Sequence, residues 1–107
     1  MHRGYNAEYT AKKKLIEKYG KDSVIKVAIG GMVDYIIIQN EKVIKLVEVK
    51  RTKSKKWYPK QRDKQQFERI CRFCKDNKLK CEYWVFERGN LHVYELNKVG
   101  KLYFNKG

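Results

Sequence analysis

Apolar positions in the first fifth of the chain recur at Ala7, Ala11, Leu15, Ile16 and Tyr19, with Lys12, Lys13 and Lys14 on the other side and Gly20 as a stop. That spacing predicts a helix over residues 6–19. Residues 24–29 and 33–39 are runs rich in Val and Ile separated by Gly30 and Gly31, which predicts two strands joined by a tight turn. Residues 43–50 predict a third strand, joined to the second as an antiparallel hairpin through Asn40, Glu41 and Lys42. A polar, basic loop over residues 51–58 leads to Pro59, well placed at the opening of a helix because its missing N–H costs little there. In that second helix, residues 60–76, Phe67, Ile70, Cys71 and Cys74 form a buried stripe with Phe73 at its margin. Residues 81–87 and 91–96 then read as strands around Arg88-Gly89-Asn90, and Leu102, Tyr103 and Phe104 as a short edge strand. The order helix, three strands, helix, two strands predicts an α/β domain with a mixed sheet packed by helices. Nothing in the pattern suggests repeats or a linker, so residues 1–107 are expected to form one domain.

Charge changes the picture from a fold to a partner. Twenty-six Lys and Arg against 12 Asp and Glu give a net charge of +14, far more than solubility needs. A polyanion is the expected partner. Nucleic acid fits better than a membrane, since no apolar run approaches the roughly 20 residues of a span and the longest basic helix is poor in Trp and Phe. No apolar secretory segment opens the sequence, and the three cysteines are an odd number, so a reduced, cytoplasmic protein working on DNA is expected.

Against that basic background a few acids stand in unusual places. Alternation puts Ile44, Leu46, Glu48 and Lys50 on one face of the third strand. If the turn takes three residues, Gln39 faces Val43 and Asp34 lies directly opposite Glu48, with side chains on the same face; a two-residue turn would shift this register by one. Glu8 shares the apolar side of the first helix with Ala11 and Leu15, an odd place for a free acid. On spacing alone these groups also read as a turn acid and a solvated pair. Taken together they suggest three carboxylates and one ammonium converging at the core edge, and a hard divalent cation would reconcile them.

Val33-Asp34, thirteen intervening residues, and Glu48-Val49-Lys50 resemble the PD-(D/E)xK nuclease motif. Arg3-Gly4 with Ala7-Glu8, the Gly30-Gly31 turn, and Gln66 with Ile70 and Phe73 make the chain similar to the archaeal Holliday junction resolvases in particular, over about residues 3–86. The resemblance implies a restriction-endonuclease-like αβββαβ core. It also implies Mg²⁺, or Mn²⁺ in its place, held by Asp34, Glu48 and the Val49 carbonyl, with no small-molecule cofactor. Lys50 would activate the attacking water and stabilise the phosphate, Glu8 would complete the site, and Gln66 would support it or position DNA. Two departures stand out: Val33 replaces the motif proline, and where family members often carry an Arg and a Ser before the Asp, this chain has Lys26 and no serine around the Gly30-Gly31 turn.

The DNA-binding surface is expected at Arg51, Lys53, Lys55, Lys56, Lys60 and Arg62, which would follow a phosphate backbone, with Arg3, Lys12 and Lys26 as a second strip. Trp57 and Tyr58 could stack on exposed bases or cover the core edge. Cys71-x-x-Cys74 lies on an apolar helix face without a second such pair, which argues against zinc. His92 sits in a strand and is not expected to act as a base. These expectations combine into a homodimeric, metal-dependent endodeoxyribonuclease acting on branched DNA, most specifically a four-way junction cut by paired nicks. A related nuclease for flaps, restriction or repair, or a non-catalytic nucleic-acid-binding domain, remains the alternative.

Overall fold

The computed structural model describes residues 3–27, 33–96 and 102–104, with the side chains of residues 7–27 and 33–96. Helix α1 runs Arg3–Tyr19, three residues longer at its start than its periodicity implies, and a single 3-10 turn, Lys21–Ser23, leads into β1, Val24–Lys26. Gly20 ends α1 at φ 94°, a left-handed angle that favours glycine. Strands β2 (Tyr35–Gln39) and β3 (Lys42–Thr52) follow, then α2 (Gln61–Asn77), β4 (Lys80–Glu87), β5 (Asn90–Leu96) and β6 (Leu102–Phe104). The Gly30-Gly31 turn and the far end of the first expected strand lie outside the described residues.

The six strands form one mixed sheet in chain order. Only β3 and β4 run parallel, because α2 is the crossover between them; the other neighbours are antiparallel. The α1 side packs Ala7, Ala11 and Leu15 against Tyr35, Ile37, Val47, Trp84 and Phe86. On the α2 side, Phe67, Ile70 and Cys74 pack against Val33, Leu46, Cys81, Tyr83 and Val85. Residues Cys81 to Glu87 of β4 are therefore all buried, as expected of a strand covered on both faces.

The β2–β3 hairpin differs in detail from its expectation. Its turn takes two residues: Gln39 pairs with Lys42, while Asn40 and Glu41 adopt φ 52° and 64°, the pattern of a tight hairpin turn. That turn alone would slide Asp34 off Glu48. A bulge restores the register, since the ladder runs from Ile38↔Val43 to Ile37↔Lys45 and leaves Ile44 as the extra residue. Ile44 consequently packs on the α1 side and does not share a face with Leu46 and Glu48. Beyond the bulge the pairs Ile36↔Leu46 and Tyr35↔Val47 put Asp34 in step with Glu48.

Ile37 is fully buried beside this bulge, whereas Val43 is 37% exposed. Ile37→Ala is expected to cost about 2–5 kcal/mol of unfolding free energy and Val43→Ala less than about 1 kcal/mol, read from urea denaturation.

Candidate active site

Asp34 and Glu48 form the base of the site. The backbone N–H of Val49 donates to Asp34 Oδ2 at 2.7 Å, while the N–H of Asp34 donates to the Val47 carbonyl at 3.1 Å. The first bond fixes the carboxylate beside the strand that carries Glu48. Glu48 itself is only 8% exposed, an unusual place for an acid. Burial first, and the negative charge of Asp34 second, push its carboxyl up to about 7, against the pull of Gln66 and Lys50.

Two side-chain donors address Glu48, Lys50 from β3 and Gln66 from α2. Gln66 Nε2 donates to Glu48 Oε2 at 3.1 Å, and the Tyr83 hydroxyl donates to Gln66 Oε1 at 3.0 Å. That relay sets which end of the amide faces the acid, so Gln66 holds Glu48 from below. Lys50 Nζ lies 3.2 Å from Glu48 Oε2 and 3.1 Å from Asp63 Oδ1. Burial works against the ammonium, but Glu48 and Asp63 outweigh it and raise the Lys50 pKa, so the side chain stays charged at neutral pH. Asp63 also accepts the N–H of Lys60 at 2.8 Å through Oδ2, so one carboxylate caps α2 and restrains the lysine. Asp63 is not among the residues that the sequence pattern singles out. Its place three residues after the N-cap, where a carboxylate reaches back to the cap N–H, was the signal that could have singled it out.

Glu8 stands apart from this group. It lies on the α1 side, where Oε1 accepts from Lys26 Nζ and, at 3.3 Å, from the Tyr35 hydroxyl. Its partners Tyr35 and Lys26 both also feel the charge of Asp34, so Glu8 is linked to the acids through these two side chains, while Glu48 and Lys50 are in direct contact. Lys26 is correspondingly committed to Glu8. Among the described residues no group of three or more His, Cys, Asp and Glu side chains is arranged to hold a metal ion. Two carboxylates side by side, one of them buried with its proton affinity raised, still suit a hard dication that keeps several waters, with Asp34, Glu48 and the Val49 carbonyl as the candidate protein ligands.

The basic segment is tied down beside the site. Glu87 is 2% exposed and accepts from the Trp57 N–H, from the Tyr94 hydroxyl at 3.0 Å, and from His92 Nδ1. Burial works to raise its pKa, yet these donors overcome it and hold Glu87 below the usual carboxylate range. Its role was not visible from sequence, because its partners come from a loop and a neighbouring strand. Trp57 turns its ring to the core, stacked on Tyr83 at 6.1 Å between centroids with Phe67 at 6.3 Å. Of the two aromatics, only Tyr58 is left open to solvent, 71% exposed, with Lys56 over its ring. Lys12, Arg51, Lys53, Lys55, Lys56, Lys60 and Arg62 are all exposed. The side chain of Arg3 lies outside the described residues. Cys71 is half-buried, and Cys74 and Cys81 are buried, as small apolar residues would be.

No family model and no curated protein matches this chain. Among solved structures it is similar to Archaeoglobus fulgidus Hjc, a Holliday junction resolvase from an archaeal hyperthermophile, with a TM-score of 0.56 and 17% identity over 86% of this chain and 71% of that one. The two chains share a fold. At that identity the likeness concerns architecture, and the chemistry has to be argued from Asp34, Glu48 and Lys50.

The raised affinity of Glu48 for a proton has a consequence for stability. With about 7 in the folded chain against an ordinary 4.5, its stabilising contribution is complete below pH 4.5 and is lost as pH rises through about 7. In metal-free buffer the wild type should therefore lose stability between pH 5 and pH 8. Glu48→Gln should lose less, and at pH 8 should exceed the wild type by about 1–3 kcal/mol in urea denaturation. Glu87→Gln should leave the sheet intact while speeding hydrogen exchange at the Trp57 amide by about tenfold, measured by NMR.

Proposed function

We propose that the chain is a Mg²⁺-dependent, structure-selective endodeoxyribonuclease that resolves four-way DNA junctions by paired nicks, working as a homodimer. The observation that carries this reading is the opposition of Asp34 and buried Glu48 across β2 and β3, with Lys50 ion-paired to Glu48 two residues further on. A pure binding surface of net charge +14 has no use for carboxylates buried beside its phosphate contacts. The resolvase likeness supports the junction as substrate, and a two-fold dimer would offer one site to each of two opposed strands.

Asp34, Glu48 and the Val49 carbonyl would hold the ion. When bound, it would neutralise charge building on the scissile phosphate and make a nearby water more acidic. The chain's own groups do the rest. Lys50, kept charged by Glu48 and Asp63, stands where it can orient the attacking water and donate to a phosphate oxygen as negative charge develops. Gln66, braced by Tyr83, keeps Glu48 pointing at the site. The exposed lysines of residues 53–60 hold the backbone through contacts that read charge and shape and do not read sequence. That selectivity suits a branched substrate.

End-labelled four-way junction, flap and linear duplex, each incubated with Mg²⁺ or with EDTA, test the reading. Symmetric nicks in the junction are expected with Mg²⁺ and none with EDTA. Asp34→Asn should abolish cutting, and Lys50→Ala should slow it about 10²–10³-fold with junction binding retained. Cutting of flap or duplex alone would assign a different substrate, and tight binding without cleavage under any metal would reduce the chain to a binding module.

A further inference from the structure

A cavity of about 490 Å³ opens on the α2 side, lined by Lys50, Lys60, Arg62, Asp63, Gln66 and Arg69 among others. It shares a wall with the candidate active site, since Lys50 and Gln66 are the groups bonded to Glu48. Its charge is unbalanced: four cations face one acid. That acid is already engaged by Lys50 and by the Lys60 N–H. Along α2, Arg62, Gln66 and Arg69 follow i, i+4, i+7 spacing, so the two guanidinium groups flank Gln66 on one face over about 10 Å of helix. Such a row suits an anion with extension along the helix more than a single small ion.

We propose that this cavity is a second phosphodiester subsite, in which Arg62 and Arg69 grip the DNA backbone next to the phosphate that is cut. The inference rests on the proposed nuclease reading and names how its substrate is held. Guanidinium groups match phosphate oxygens bidentately, and Lys50 on the shared wall links the subsite to the acids. The backbone thus enters along α2 and passes Lys50 before reaching Asp34 and Glu48. Arg69 stands outside the dense basic run and belongs to the helix stripe, which is why charge density along the sequence does not mark it.

The test measures binding without cutting. Affinity for a labelled four-way junction is followed in EDTA between about 50 and 200 mM salt, for wild type, Arg62→Ala, Arg69→Ala and Arg72→Ala. Arg72 is an exposed residue of the same helix and does not line the cavity, so its variant controls for lost charge. Arg62→Ala and Arg69→Ala should each weaken binding about 3- to 10-fold and lower the slope of log K against log salt by about one, while Arg72→Ala leaves the slope unchanged. A neutral methylphosphonate at the phosphate beside the cut should weaken the wild type and cost Arg69→Ala nothing further. Equal slopes for Arg69→Ala and Arg72→Ala overturn the subsite, as does a wild type that does not bind DNA. Cleavage enters none of these readouts. Slopes that change as expected in a protein that never cuts DNA would retain the subsite and remove the nuclease reading.

Discussion

Everything in this molecule that looks like chemistry depends on one pairing register. Asp34 and Glu48 are brought to opposed positions only because the two-residue turn at Asn40-Glu41 is followed by the bulge at Ile44. Without the bulge Asp34 would stand beside Val47, and Glu48 would lie across from Val33. Opposed like charges in a ladder are destabilising, and burial adds to the cost here, as the displaced proton affinity of Glu48 records. Such a pair is a strained electrostatic arrangement, and a bound cation would relieve it.

Neighbouring groups brace the pair. Glu48 takes its support from Gln66, which Tyr83 orients, and the Tyr83 ring sits between Phe67 and Trp57. Trp57 in turn is anchored by Glu87 through its backbone. A continuous chain of contacts therefore runs from the acids through the core to the basic segment at residues 53–60. Asp63 adds a second link, from Lys50 to the first turn of α2. The basic surface and the acids are thus joined by one continuous set of packed and hydrogen-bonded contacts that includes Lys50.

Much of this was legible in the sequence. Val and Ile runs gave away the strands, and the stripe Phe67, Ile70, Cys74 gave away α2, because periodicity reports directly on which face is buried. The motif Glu48-x-Lys50 with Asp34 upstream pointed to three groups that the structure does bring together. The register was reached for the wrong reason, since turn length and bulge offset each other and neither is marked by periodicity. Asp63, Tyr83 and Glu87 escaped notice because their partners are tertiary: an acid in a basic run, a tyrosine and a glutamate in an apolar strand look ordinary until the loop and helix close over them. The inward helix-face position of Glu8 was legible too, whereas its bonds to Lys26 and Tyr35 were not, because both partners come from neighbouring strands.

The central claim is that the Asp34–Glu48 pair exists to bind a divalent cation. Paramagnetic Mn²⁺, added in substoichiometric amounts while backbone amide signals are followed by NMR, tests this most directly. The account predicts that the Tyr35 and Val49 amides broaden first in the wild type, and that Glu48→Gln abolishes this selective broadening without disturbing the rest of the spectrum. Equal broadening in wild type and Glu48→Gln, or none near these residues, would contradict it.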